Sequence, residues 1–165
     1  MSKSTTSTNG RDLTVKRTIK APPAEVYAAW TTPRLLEQFF APKPFVTKVT
    51  ELDVRPGGAN TIAMQGPDGK EFPARGVYLE VVENKKLVFT DAYVSAWVPS
   101  EKPFMTVAIT FEEQDGNTNY MAVARHWTEA DREAHENMGF HEGWATVTDQ
   151  LAALLEKQTE KQTEK

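Results

Sequence analysis

HENMGFHEGWATVTDQLAALL, residues 135–155, reads as one amphipathic helix carrying two glycines. At about 100° per residue, Phe140, Trp144, Val147, Leu151, Leu154 and Leu155 share one arc, with His135, Glu142 and Asp149 opposite. Gly139 and Gly143 fall on the edge of the apolar arc, beside the large Trp144. Each glycine costs about 1 kcal/mol relative to alanine in a helix interior. The missing side chains therefore predict an unfilled space under this helix, taken up by another backbone or by a ligand.

Upstream of that helix, Thr128 with Asp131 three residues on resembles a capping box and marks where the helical region starts. Six strand-like runs precede it: FVTKVTELDV, ANTIAMQ, EFPARGVYLEVV, KLVFTDAYVSAW, FMTVAITFEE and NTNYMAVARHW. Turn chemistry separates most of them, with RPGG at 55–58, GPDG at 66–69 and Asp115-Gly116 as the clearest reversals. Earlier still, DLTVKRTIKA alternates as a half-buried strand, and Pro23 and Pro33 open two short helices, the first over about 23–30. The order is β-α-α-β6-α. An antiparallel sheet covered by one long helix is an α+β arrangement, and a strongly curved sheet wrapped round that helix leaves a tapering cavity.

With 165 residues the chain has room for one domain, read here as residues 11–157. The polar stretches 1–10 and 158–165 are read as a disordered tail and a solvated continuation of the last helix. The net charge of -4 and the lack of any Lys/Arg run argue against nucleic acid as partner. No run is long and apolar enough to span a bilayer. Cysteine is absent, which excludes disulfides, thiol nucleophiles and Cys-based metal sites. A reducing, cytoplasmic setting fits.

Several blocks, RTIKAPPAEVYAAWTTPRLLEQFFAP, ELDVRPGGANTIAMQGPDG, RGVYLEVVENKKLVFTD, TVAITFEE and MGFHEGWATVTDQLAALL, resemble the bacterial relatives of the C-terminal domain of the heat-shock-protein-90 ATPase activator. These belong to the START-like, or SRPBCC, helix-grip superfamily. The resemblance implies a seven-stranded antiparallel sheet gripping the last helix around an apolar pocket. It also implies two other readings, a chaperone-associated regulator and a cyclase- or hydrolase-like enzyme. Two departures stand out: Phe39-Phe40 occupy positions where many members carry a Trp pair. The activator's additional N-terminal domain, on which chaperone activation depends, has no room in this chain.

Enzyme machinery is hard to find. His126, His135 and His141 lack the spacing of a zinc helix, and there is no nucleophile elbow, P-loop or dinucleotide fingerprint. No metal and no cofactor are expected, and a binding domain is expected rather than an enzyme. Strand parity places Val77, Leu79 and Val81 on one face, with Leu87, Phe89, Asp91 and Tyr93 across from them. Arg75 then lies near Tyr93 and diagonal to Asp91, as a structural ion pair or as the polar anchor of a pocket. A two-residue turn at Asp115-Gly116 turns Ala122 and His126 inward; a three-residue bulged turn would turn Met121, Val123, Arg125 and Trp127 inward instead. Trp30, Phe39 and Phe40 read as a plug at one end of the core, packed by Trp144. The expected function is binding of an apolar or amphipathic small molecule between the last helix and the sheet. Its expected lining is Trp30, Phe39, Phe40, Ala122, Gly139, Gly143, Trp144 and Val147, with Arg75, Asp91, Tyr93 or His126 orienting the ligand.

Overall fold

The computed structural model describes residues 3–95 and 97–163, with the side chains of 158–163 left aside. Its first element is strand β1 (Thr5–Asn9), followed by β2 (Asp12–Ile19), α1 (Pro23–Thr31) and α2 (Pro33–Phe39). Four strands come next: β3 (Val46–Leu52), β4 (Ala59–Gln65), β5 (Glu71–Val82) and β6 (Lys86–Thr90). A separate small ribbon, β7 (Tyr93–Ser95) with β8 (Val98–Pro99), interrupts the sequence before β9 (Met105–Gln114) and β10 (Asn117–His126). Two helices close the chain, α3 (Glu129–Asn137) and α4 (Phe140–Thr163). Eight antiparallel strands form the main sheet in the order β1-β2-β10-β9-β6-β5-β4-β3. The α+β helix-grip arrangement expected from the sequence is therefore present.

The additional strand corrects the reading of residues 1–10 as a disordered tail. Thr5–Asn9 pairs along β2, and its hydroxyls are tied to the helices. Thr6 Oγ1 lies 2.8 Å from His141 Nδ1, and the Thr8 hydroxyl donates to Glu136 at 2.6 Å. With His141 and Arg132 also bonding it, the Glu136 carboxyl is held at about 2, well below the usual carboxylate range. Hydrogen bonds rather than burial order this segment, so its lack of apolar residues hid it. The 158–165 stretch continues α4 in its backbone as far as Thr163; its side chains and residues 164–165 lie outside the described residues.

Packing follows the alternation. Leu13, Val15 and Ile19 of β2 and Tyr120, Ala122 and Ala124 of β10 are buried, as are Val147, Leu151 and Leu155 of α4. Each such Leu, Ile or Val side chain contributes about 1.5–3 kcal/mol by leaving water. The last hairpin uses the two-residue turn: Gln114 pairs with Asn117, and Asp115 and Gly116 both take positive φ, 53° and 82°. His126 accordingly faces inward and Arg125 outward, which removes the bulged alternative.

Parity fails on β5. A bulge at Leu79 lets Tyr78 pair with Phe89 while Val81 still pairs with Leu87. The extra residue switches every side chain before it, so Tyr78 is the inward residue and Leu79 is 48% exposed.

Residues 135–155, expected as one helix, belong to two, α3 and α4. Thr128 caps α3 by accepting from the Asp131 N–H at 3.0 Å, but the helix ends at Asn137. Gly139 sits between α3 and α4 with φ of 99°, a left-handed conformation that ends a helix and favours glycine. The angular phase restarts there, which is why His135 is buried instead of lying on the solvent arc. Gly143 differs: it lies in the first turn of α4, and a methyl group there would meet nothing within 4 Å. Gly143→Ala is expected to stabilise the protein by about 0.5–1 kcal/mol through helix propensity and unfolded-state entropy. Urea unfolding checks this, and a lowered midpoint would show that the space is occupied in the folded protein.

Candidate functional site

The internal space lies elsewhere than under α4. A cavity of about 90 Å³ sits between the two short helices and the far half of the sheet. Trp30 of α1, Leu36 of α2 and Phe40 at the end of α2 form its roof. Its floor is the inner face of four adjacent strands, including Ile62, Phe89 and Val107. Proline at the start of each short helix sets the turn that puts these three roof residues over the sheet. Trp30 meets Phe40 edge-on at 5.7 Å and Phe89 tilted at 6.1 Å, an aromatic wall around an apolar interior. Ala74, Arg75 and Gly76 of β5 border the cavity, and residues 71–75 are exposed.

Of the residues expected to line a pocket, Trp30, Phe40, Arg75 and Asp91 do so. The others have different positions. Phe39 is fully buried beneath Trp30, 5.3 Å between rings, and belongs to the core. Ala122 and Val147 pack between β10 and α4. Trp144 stacks on Phe140 at 5.7 Å and meets Phe40 edge-on at 6.5 Å, so it packs against the back of the roof. No described side chain of α4 lines the cavity, and the glycine pair is therefore not its cause. Tyr93 stands on β7 and borders a separate groove with Val77, Tyr78, Leu79 and Trp97, not the cavity.

The expected Arg75–Asp91 pair does not form. Arg75 pairs with Thr61 in the ladder, so it projects from the face opposite Ala74 and Gly76. Asp91 instead accepts the Phe104 and Met105 backbone N–H groups through Oδ1, at 2.7 and 3.0 Å. This ties the return of the chain into β9 to the end of β6.

His126 is buried next to a second histidine that the sequence reading placed in solvent. Its Nδ1 donates to the Arg11 carbonyl at 2.9 Å, which leaves Nε2 to accept from His135 Nδ1 at 2.8 Å. Phe104 and Phe140 close on His135, with ring centroids at 4.6 and 5.1 Å. Burial first, and His126 second, push His135 down to about 4. The pair is a structural contact outside the cavity. Among the described residues no group of His, Asp or Glu side chains is placed to hold a metal ion, and no helix is long and apolar enough to cross a membrane.

The lining residues that sequence reasoning missed are chiefly Asn60, Ala74 and Gly76. A β-carbon at Gly76 would collide with the Thr90 carbonyl oxygen, so this glycine permits the end of β6 to close over β5. An isolated glycine inside a strand pattern was the available signal.

A sheet curved round a C-terminal helix, with a cavity roofed by two short helices, defines a START-like helix-grip domain. The sequence model described as "Activator of Hsp90 ATPase homolog 1-like protein" matches residues 20–156, and the chain belongs to that family. A solved protein of Nitrosomonas europaea is 40% identical with a TM-score of 0.85, covering 90% of this chain and 96% of its own. One of Mycobacterium smegmatis is 28% identical with a TM-score of 0.80, covering 92% and 96%. A third, of Chromobacterium violaceum, is 28% identical with a TM-score of 0.71, covering 88% and 97%. No curated protein matches the chain.

Proposed function

We propose that this domain binds a small apolar or amphipathic molecule in the cavity beneath α1 and α2. Its apolar part packs against Trp30, Phe40 and Phe89, and its polar end lies toward Asp91. The supporting observation is the open, aromatic-walled space itself. Protein interiors hold few voids larger than a water molecule, and an engineered apolar cavity of roughly 150 Å³ takes up benzene. At about 90 Å³, smaller than that, this one takes the edge of a ring or a short chain whose remainder protrudes, and not a whole lipid. A cysteine-free composition favours a cytoplasmic binder.

The test is a ligand-observed NMR screen of lipid and aromatic metabolites against the wild type and Phe40→Trp, which fills the cavity from its roof. Hits are expected to bind the wild type and to lose binding to the variant. Hits indifferent to the filling, or none at all, would defeat the proposal.

A chaperone-associated regulator is the second reading, supported by family membership and by the ribbon β7–β8, where Trp97 is 89% exposed beside Val98. Pull-down of the endogenous Hsp90-type ATPase with wild type and Trp97→Ser separates the two readings. The cyclase- or hydrolase-like reading has less support. Asp91 and His126, the two lining candidates that could transfer a proton, are each engaged in backbone hydrogen bonds.

A further inference from the structure

Four polar residues line the cavity, Asn60, Arg75, Thr90 and Asp91, of which Asn60 carries both a donor and an acceptor. Asp91 commits Oδ1 to two backbone N–H groups, and Oδ2 has no partner among the described residues. Beside it, the Thr90 carbonyl oxygen occupies the place on the inner face of β5 that a side chain at Gly76 would fill. Arg75, the one cation among the lining residues, belongs by register to the opposite face of its strand. A carboxylate-headed ligand would meet like charge and lone pairs here. A donor head would meet an open carboxylate oxygen in a cavity that Trp30 and Phe89 also line, and aromatic rings attract cations as well.

We infer that the ligand is a compact aromatic molecule whose head carries a hydrogen-bond donor, an ammonium or a hydroxyl, and that Asp91 is the residue that selects it over carboxylates. This rests on the cavity reading proposed above and adds the chemical class of its occupant. Gly76 acts at one remove: without a side chain, it leaves the Thr90 oxygen at the wall.

Four probes with the same ring and different heads test this: benzylamine, benzyl alcohol, toluene and benzoate, titrated into 15N-labelled protein. Benzylamine is expected to bind about tenfold tighter than toluene, the effect of one charge-assisted hydrogen bond. Benzyl alcohol should fall between them and benzoate should be weakest. In Asp91→Asn, the retained Oδ1 still accepts from both amides while an NH2 group replaces Oδ2. Benzylamine then loses its advantage over toluene, benzoate gains on both, and the spectrum away from residues 91 and 104–105 stays unchanged. Benzoate matching benzylamine in the wild type, or benzylamine keeping its lead in Asp91→Asn, overturns the inference. Equal binding of all four probes overturns it too, but leaves the cavity reading standing. If no probe binds the wild type and Phe40→Trp gives the same result, both fall.

Discussion

Phe39→Ala is expected to destabilise the protein by about 3–5 kcal/mol, while the same change one residue on is expected to cost about 1–2 kcal/mol. Phe39 is fully buried and packs edge-on against Trp30, so truncation leaves a hole bounded by the rigid roof and the sheet. The cost of such a hole is the lost transfer energy plus the contacts its walls forfeit. Phe40 is half-buried and already borders open space, and removing its ring enlarges a cavity without creating one. The two variants should therefore diverge in urea midpoint and in ligand binding: Phe39→Ala loses stability first, Phe40→Ala loses affinity first. Equal losses of stability would show that the two phenylalanines share one environment. That result would remove the distinction between core and roof.

Acid should weaken the fold well before its carboxylates are protonated. His135 is held neutral at about 4 by burial, while the unfolded chain takes up a proton at its ordinary histidine value near 6.5. Below that value the unfolded state binds a proton that the folded state refuses, so stability falls as pH drops. The contribution is complete above about pH 6.5 and declines toward pH 4. After allowance for residual solvent screening, the loss between pH 7 and pH 5 is about 1–2 kcal/mol. Glu136, held at about 2, acts only below the ordinary carboxylate range, so the two windows separate. Urea midpoints at pH 7, 6 and 5 measure the slope, and His135→Phe should flatten it by replacing the ring with one that takes up no proton. An unchanged slope in His135→Phe would assign the acid sensitivity to another group.

Much of the fold could be read from period and turn chemistry, because these are local. Alternation along residues 105–111, with the Asp115-Gly116 turn, carried the register of the last hairpin and the inward position of His126. Pro23 and Pro33 located the two short helices. Three features escaped for definite reasons. A bulge adds one residue without changing the apolar count, so Leu79 looked like core. Two glycines that look alike on a helical wheel have different jobs: Gly139 supplies a left-handed turn, while Gly143 is an ordinary helical residue with free space beside it. The N-terminal strand is ordered by hydroxyl bonds to residues more than a hundred positions away, which no window of sequence can show. For the site, Trp30, Phe40, Arg75 and Asp91 were placed at the cavity, yet its location was attributed to the wrong helix. Cavities are set by which elements fail to touch, and that is a long-range property.

The roof of the cavity belongs to a pair of short helices, while the long helix that anchors the core contributes nothing to it. The two regions nonetheless share one core: Trp30, Leu36 and Ile62 belong to the same buried cluster as Leu151 and Leu155, and Phe40 meets Trp144. Substitutions at Phe40 or Met105, which only border that cluster, would alter the cavity with less effect on Leu151 and Leu155 than changes at the buried Leu36 or Ile62. Such a gradation would let the shape of the cavity vary at its partly buried edge while the buried cluster stays intact.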